Sequence, residues 1–199
     1  MLLDADECQL VLVDYQERLM PAIHDGEGVL RNAVRLGTMA AMFHVPVVGT
    51  EQNPAGLGPN VAEVRGLCNR TLAKMQFSAA SDGLVDWLRP PQKQGGNARS
   101  LPKHVQKDAP ATPQRPSILL AGCEAHVCLM QTALELVEEE FEVWVVTDAC
   151  GSRSERNRDA AFDRLAAAGC ELVTTEMVAF EWLRTAEHPA FKDVQRLIK

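Results

Sequence analysis

Short apolar runs alternate with amphipathic stretches along this chain. We predict strands from the apolar runs at 8–13, 45–50, 70–74, 118–122, 141–149 and 172–174. The run at 8–13 is continuous rather than alternating, which is typical of a strand buried on both faces.

Helical periodicity separates most of these runs. Apolar residues recur at three-and-four spacing over 30–41 and 125–140, and a short helix is predicted at 81–88. Strands that alternate with helices predict an α/β fold in which a parallel sheet is covered on both faces. We expect a three-layer α/β/α, Rossmann-like fold with a six-stranded parallel sheet in the order 3-2-1-4-5-6.

Two further helices are predicted near the C-terminus. Ser152 and Glu155 have the spacing of a capping box, which predicts a helix from there to Ala168. The chain from Glu176 onward is also helical in character, with an interruption near Pro189.

The segment 89–117 interrupts this alternation. It is rich in proline, contains two adjacent glycines and has almost no apolar periodicity, so we predict a basic loop inserted into a single domain of residues 1–199. The segment carries a net charge of +5, whereas the whole chain has a formal net charge of −7. Its basic residues are Arg89, Lys93, Arg99, Lys103, Lys107 and Arg115. The acidic remainder and the lack of aromatic residues in the segment disfavour nucleic acid as a partner.

The composition is that of a globular protein with reduced thiols. No apolar run approaches the roughly 20 residues that cross a bilayer, so no membrane partner is expected. The six cysteines lie mostly at the ends of apolar runs and do not suggest a small secreted framework. The acidic start lacks the features of a signal or transit peptide. We therefore expect an intracellular, cytoplasmic location, and association with mitochondria stays open.

The most informative local pattern is Ala-Gly-Cys-Glu-Ala-His-Val-Cys at 121–128. A strand is followed by a sharp turn and the first turn of a helix, which places Cys128 near a helix N-terminus. There the helix dipole favours a thiolate, and N–H groups of the turn can stabilise an oxyanion. The alternative is an ordinary core cysteine, because free cysteines are usually buried.

Two charged residues end other predicted strands. Asp14 follows the run at 8–13, and Lys74 ends the run at 70–74 between apolar neighbours. The carboxyl ends of parallel strands meet where the strand order reverses, so both side chains can reach one crevice. Taken alone, Asp14 is equally compatible with a helix cap, and Lys74 with an ordinary edge-strand lysine.

Four strings, in order and at appropriate spacing, resemble the isochorismatase-like cysteine hydrolases, a superfamily that includes nicotinamidases and N-carbamoylsarcosine amidase. They are Leu12-Val13-Asp14-Tyr15-Gln16, Thr50-Glu51-Gln52-Asn53-Pro54, Lys74-Met75-Gln76-Phe77-Ser78-Ala79 and Gly122-Cys123-Glu124-Ala125-His126-Val127-Cys128. The resemblance extends over nearly the whole chain. It implies a catalytic triad of Asp14, Lys74 and Cys128.

The resemblance also implies a mechanism. Asp14 takes the thiol proton, Lys74 holds the charges, and Cys128 attacks a carbonyl-type carbon to form a thioester that water hydrolyses. It further implies a cis peptide bond between Cys123 and Glu124, with the backbone N–H groups of Glu124 and Cys128 as the oxyanion hole. Because the cysteine is present, a small amide-type (C–N) substrate is expected rather than isochorismate.

Five residues are expected to line the pocket for this small-molecule substrate: Gln16, Gln52, Phe77, Ala125 and His126. A plain loop role is the alternative for Gln52, and an exposed position at the helix start is the alternative for His126.

Departures from the superfamily pattern limit the prediction. Nicotinamidases usually carry an Asp-x-His metal site after strand two, but this chain has Asn53-Pro54-Ala55-Gly56, so we expect no metal. No cofactor is expected either, since no glycine-rich phosphate cradle follows strand one. Relatives are commonly homo-oligomers, and the same is expected here. Two other classes stay open: a ribonuclease-like or nucleic-acid-associated protein that uses the segment 89–117, and a catalytically silent oligomeric scaffold.

Overall fold

A computed structural model describes residues 1–89 and 115–199, and its centre is a six-stranded, all-parallel sheet. The strands are β1 (Cys8–Val13), β2 (Val47–Gln52), β3 (Arg70–Lys74), β4 (Ser117–Gly122), β5 (Glu142–Val146) and β6 (Glu171–Val173). They are arranged in the order β3-β2-β1-β4-β5-β6, which confirms the predicted fold and strand order.

Helices lie on both sides of the sheet. They are α1 (Gly26–Met42), α2 (Pro54–Leu57), α3 (Ala62–Arg65), α4 (Val85–Leu88), α5 (Met130–Glu138), α6 (Glu155–Ala167), α7 (Thr175–Leu183) and α8 (Phe191–Ile198). A single π turn precedes α4 at Ala80–Leu84 and another precedes α5 at Ala125–Leu129. In the two described ranges, no helix is both long enough and apolar enough to span a bilayer.

The two central strands form the most buried part of the fold. Every residue of β1 and of β4 is buried, because helices cover both faces and neighbouring strands cover both edges. Removing such continuous apolar runs from water is the main favourable term in folding, at about 25 cal/mol for each Å² of apolar surface. The rigid centre of the sheet therefore carries the strand ends at which the charged residues lie.

Several predicted boundaries were wrong. The second strand is Val47–Gln52 rather than 45–50, so both of its ends were misplaced by two residues. The fifth strand ends at Val146, and Thr147–Ala149 form a 3₁₀ turn because Asp148 turns away to accept hydrogen bonds from Thr175. The cap of α6 is Ser154, whose side chain accepts from the N–H of Asn157 at 3.3 Å. Ser152, the cap predicted from the sequence, instead bonds a histidine ring.

The predicted insert at 89–117 lies mostly outside the described residues, including Lys93, Arg99, Lys103 and Lys107. Its two flanks are described, and they meet at the amino edge of the sheet. The carbonyl oxygens of Leu88 and Arg115 both accept from the side-chain nitrogen of Gln9, at 3.0 and 2.9 Å. Arg115 also donates to the carbonyl of Cys8, at the start of β1. The chain therefore leaves and re-enters the fold at one point, opposite the carboxyl ends of the strands.

The turn after β4 requires glycine. Gly122 has φ of 155°, and a Cβ there would lie 2.2 Å from the carbonyl oxygen of Val13. We predict that Gly122→Ala lowers the free energy of unfolding by about 3 kcal/mol, because the two strand ends would have to separate. Gly66→Ala is the matched control: Gly66 has helical φ and ψ, and the atom nearest to an added Cβ, the carbonyl oxygen of Ala62, would be 3.4 Å away. Urea denaturation that gave both variants the same stability would contradict this account.

Buried thiols should make the fold sensitive to alkali. All six cysteines are free, and burial raises the pKa of each thiol above its ordinary value of 9.0. The folded chain therefore keeps protons that the unfolded chain releases, so this stabilisation is complete below pH 9 and is lost as pH rises toward 12. We expect the urea midpoint to fall between pH 8 and pH 10.5. Cys170→Ala, which removes a thiol with a pKa of about 11, should reduce the fall; a midpoint independent of pH would refute the prediction.

Candidate active site

Three chemically active side chains converge at the carboxyl edge of the sheet. Asp14 directly follows β1, Lys74 is the last residue of β3, and Cys128 lies in the π turn that follows β4. Since β1 lies between β2 and β4, the three positions surround the end of the central strand. The residues that the sequence singles out are thus brought together.

Asp14 and Lys74 form a buried ion pair. The Oδ2 atom of Asp14 lies 2.8 Å from Nζ of Lys74, and both side chains are fully shielded from solvent. The other carboxylate oxygen, Oδ1, accepts a 2.6 Å hydrogen bond from the hydroxyl of Thr50. Asp14 has φ of 54°, a left-handed conformation that aspartate tolerates better than most residues. This backbone turn directs the carboxylate across the ends of β1 and β2.

The ammonium group of Lys74 has more acceptors than N–H bonds. Besides Asp14, it donates to Oε1 of Gln52 at 2.9 Å and to the carbonyl oxygen of Phe77 at 2.9 Å. The carbonyl of Gln76 is a longer fourth contact at 3.4 Å. A buried ammonium would be costly without such partners, so its position is strongly fixed.

The thiol of Cys128 is nearly buried and neutral at physiological pH. Burial is the largest cause and the charge of Asp14 the second, and together they raise the pKa of the thiol to about 12. The charge of Lys74 lowers it, so the charges of Asp14 and Lys74 shift the pKa of this thiol in opposite directions. Burial thus outweighs the helix-terminus effect expected from the sequence, and the resting site holds a thiol rather than a thiolate.

The turn that carries Cys128 is held from both sides. The Cys123–Glu124 peptide bond is cis, and the next N–H, that of Ala125, donates to the carbonyl of Gly151 at 2.8 Å. The carboxylate of Glu124 accepts from the backbone N–H of Arg153 at 2.9 Å and from its guanidinium at 3.1 Å. These contacts fix the backbone of the turn beside the end of β4.

The side-chain amides of Gln16 and Gln52 both form hydrogen bonds within the protein. The side chain of Gln16 is fully buried, and its amide bonds the backbone of Gln52 in both directions and the carbonyl of Gly58. Both N–H bonds of the Gln16 amide and one acceptor position of its oxygen are thus used within the protein, and its place in a substrate pocket stays a prediction. The amide oxygen of Gln52 accepts a hydrogen bond from Lys74, and its amide nitrogen donates to the carbonyl of Met75.

The other three expected pocket residues differ in exposure. Ala125 is fully buried, whereas the ring of Phe77 is half exposed and only its carbonyl faces Lys74. His126 is partly buried, with Nδ1 3.0 Å from the hydroxyl of Ser152 and Nε2 3.4 Å from the amide of Asn157. A ligand could bond this ring only by replacing one of those partners.

Two residues of the site had no predicted role. Thr50 lies opposite Val13 in the register of β1 and β2, which places its hydroxyl against the carboxylate that follows β1. The sequence feature that could have indicated this role is the hydroxyl of Thr50 at the end of a predicted apolar strand. Asp82 accepts from the N–H groups of Met75 and Gln76, and nothing in its local sequence marks it.

A second cysteine, Cys123, follows β4 directly and precedes the π turn that carries Cys128. Cys123 is fully buried with its sulfur 3.8 Å from that of Met20, and burial raises its pKa well above the ordinary range. Within residues 1–89 and 115–199, no cluster of three or more His, Cys, Asp or Glu side chains is arranged to hold a metal ion.

Known proteins resemble this chain along most of its length. Residues 8–177 match the isochorismatase domain. Isochorismatase domain-containing protein 2 of Homo sapiens is 35% identical over 190 residues, which cover 96% of this chain and 82% of that protein. Isochorismatase domain-containing protein 2B of Mus musculus is 34% identical over 190 residues, covering 96% and 80%.

Solved structures share the fold. The MAR1 ribonuclease from Caenorhabditis elegans has a TM-score of 0.83 at 29% identity, covering 100% of this chain and 92% of its own. The YcaC gene product of Escherichia coli, an octameric hydrolase of unknown specificity, has a TM-score of 0.78 at 26% identity, covering 100% and 95%. The domain match and the identity to the mammalian proteins agree with the observed sheet order. The chain therefore belongs to the isochorismatase family.

Proposed function

We propose that this protein is a cysteine-dependent hydrolase of small amide-type (C–N) substrates, with Asp14, Lys74 and Cys128 as its catalytic residues. The observation that carries the proposal is a neutral thiol placed beside a buried, fully hydrogen-bonded carboxylate–ammonium pair. A carboxylate next to a thiol can accept its proton when a substrate arrives, and this activation is the usual requirement for a cysteine nucleophile.

The reaction follows from these positions. The proton moves from Sγ of Cys128 to the Asp14 carboxylate while sulfur attacks the substrate carbonyl carbon. The negative oxygen that develops is stabilised by the backbone N–H groups of Glu124 and Cys128. Asp14 then returns the proton to the leaving nitrogen, and the C–N bond breaks to give an amine and a thioester. Water, deprotonated by Asp14, hydrolyses the thioester to a carboxylic acid and the free thiol.

Lys74 stabilises charge without exchanging a proton in this scheme. Its ammonium is closer to the carboxylate than any other cation among the described residues, so it offsets the thiolate that forms when Asp14 becomes neutral. Because hydrogen bonds to Gln52 and Phe77 hold the ammonium in place, Lys74 needs little reorganisation when negative charge moves from Asp14 to sulfur.

Further properties follow from the same proposal. The substrate is expected to be small, because Cys128 is only 6% exposed. The residues proposed to line the pocket are those of the sequence prediction: Gln16, Gln52, Phe77, Ala125 and His126. No metal or cofactor takes part. The free cysteines suit a reducing, intracellular compartment. A homo-oligomer is proposed by analogy with the octameric bacterial neighbour.

A second candidate is an activity on RNA. It is favoured by the ribonuclease name of the nematode neighbour and by the basic residues at 89–117. The flanks of that segment are anchored at the amino edge of the sheet, on the side away from Cys128. Replacing residues 90–114 with two glycines should therefore leave amide hydrolysis unchanged, while an RNA-cleaving activity that uses the segment would disappear.

We predict that Cys128→Ser abolishes turnover, since a buried serine hydroxyl has a far higher pKa than a thiol. The wild-type chain, incubated with a library of small primary amides and N-carbamoyl compounds, should accumulate an acyl adduct on the peptide that contains Cys128. Cys123→Ser is the matched control, and it should keep both turnover and the adduct. Peptide mass spectrometry distinguishes the two cysteines, and an adduct on Cys123 would rule out the assignment.

The charges around the thiol should have opposite effects on its reactivity. Asp14→Asn removes the charge that raises the pKa of Cys128, so iodoacetamide should alkylate Cys128 faster at pH 8, although turnover is lost with the proton acceptor. Lys74→Met should slow alkylation, because its charge lowers that pKa. In the wild type, alkylation should rise about tenfold for each pH unit from 7 to 10, since the reactive form is the thiolate.

Circular dichroism must accompany these measurements. Breaking a buried ion pair costs about 3–5 kcal/mol, so both variants are expected to be less stable but folded at low temperature. If folded Asp14→Asn reacted more slowly than the wild type, Asp14 would not control the thiol.

A further inference from the structure

The loop that follows β3 supplies two of the four acceptors of Lys74. These acceptors are the carbonyl oxygens of Phe77, at 2.9 Å, and Gln76, at 3.4 Å. They come from the main chain of a solvent-facing loop in which Met75 is 69% exposed and Phe77 53% exposed. The ammonium can keep these bonds only if something holds the loop against the sheet.

Asp82 holds it from the outside. A single carboxylate oxygen, Oδ2, accepts from the N–H of Met75 at 2.8 Å and from the N–H of Gln76 at 2.9 Å. Hydrogen bonds to an ionised carboxylate are about twice as strong as neutral ones. Asp82 therefore anchors two consecutive peptide groups immediately before the carbonyls that contact Lys74.

The inner sides of the same two peptide groups are also fixed. The carbonyl of Lys74 accepts from the N–H of Asn53 at 2.8 Å, and the carbonyl of Met75 accepts from the side-chain nitrogen of Gln52 at 2.8 Å. Each peptide plane is therefore held between Asp82 and the end of β2. With both planes fixed, the next two carbonyls are directed toward the ammonium.

The other end of the loop has a separate attachment. The hydroxyls of Ser78 and Ser81 donate to Oε2 of Glu135 on α5, at 2.7 and 2.6 Å. The N–H of Ala79 donates to the hydroxyl of Thr132 at 3.0 Å. This attachment does not touch the peptides that Asp82 holds, so its loss gives a measure of general loosening.

We propose that Asp82 is a positioning residue for Lys74, acting through the main chain of residues 75–77. Among the described residues, its carboxylate bonds neither the thiol nor Asp14 but the N–H groups of Met75 and Gln76, and its effect is exerted through the carbonyls that hold the ammonium. The proposal rests on the proposed function for its effect on turnover, but its effect on the thiol can be measured without any substrate.

The test compares three variants by two readouts. Asp82→Ala removes the acceptor, Asp82→Asn keeps a weaker one, and Ser81→Ala removes one hydrogen bond from the Glu135 attachment. The first readout is the rate at which iodoacetamide alkylates Cys128 at pH 8, followed by peptide mass. The second is kcat and KM for an amide that the wild-type chain hydrolyses.

Asp82→Ala should alkylate about 3- to 10-fold more slowly, because a displaced ammonium favours the thiolate less. Its kcat should fall about 10- to 100-fold with KM nearly unchanged, as expected when a catalytic group is misplaced by a fraction of an ångström to an ångström. Asp82→Asn should be intermediate, and Ser81→Ala should match the wild type. If Asp82→Ala does not fold, the comparison of Asp82→Asn with Ser81→Ala decides in the same way.

Several outcomes would overturn the proposal. If Cys128 in Asp82→Ala were alkylated at the wild-type rate, Lys74 would keep its position without the anchor that Asp82 provides. Faster alkylation would mean that the loop only shields the thiol. If Ser81→Ala lowered the alkylation rate and kcat as much as Asp82→Ala does, the effect would be a general loosening of the loop. If no amide is hydrolysed but the alkylation rates follow the expected order, the positioning role stands and the proposed function fails.

Discussion

The buried pair of Asp14 and Lys74 is the interaction on which the rest of the site depends. Transferring two charges from water costs several kcal/mol each, and their attraction repays this only where further hydrogen bonds satisfy both groups. Those bonds come from Thr50 and Gln52 at the end of β2 and from the loop after β3. The pair is therefore satisfied only when three neighbouring strands are in the correct register, and it links the chemistry of the site to the topology of the sheet.

The same pair also affects the pKa of the proposed nucleophile, Cys128. The charge of Asp14 raises the pKa of the Cys128 thiol and the charge of Lys74 lowers it, while burial, the largest cause, favours the protonated form. A thiol in this state resists alkylation and oxidation, both of which need the thiolate. In the proposed mechanism, the thiol would become reactive only when its proton is transferred in the substrate complex.

Much of the fold was predictable from the sequence because the central strands are continuous apolar runs. The runs at 8–13 and 70–74 gave the bounds of β1 and β3, and the sheet order followed from the resemblance and from the rules for parallel sheets. Asp14, Lys74 and Cys128 drew attention because each ends a strand or follows one by a short turn, but only the resemblance to the superfamily selected them as a triad. Their catalytic roles stay a prediction until they are measured.

Other features depend on contacts that no local pattern contains. Gln16 belongs to the family string, yet its amide is used on the backbone of residues 52 and 58, which only the folded turn brings near. Ser152 had the spacing of a cap, but the chain turns two residues later and Ser154 takes that place. The ionisation of Cys128 could not be read from its helix-terminal position, because the depth of burial is a property of the whole packed domain.

The single amide of Gln9 that joins the two flanks of residues 90–114 has a consequence for how this chain can change length. The entropy of closing a loop grows only with the logarithm of its length, about 0.6 kcal/mol for each doubling, once the two ends are fixed. Here the ends are fixed by hydrogen bonds at the amino edge, far along the strands from the ion pair. Insertions or deletions at this point should therefore have little effect on the carboxyl edge of the sheet, which makes the junction a natural place to attach a tag or a second domain.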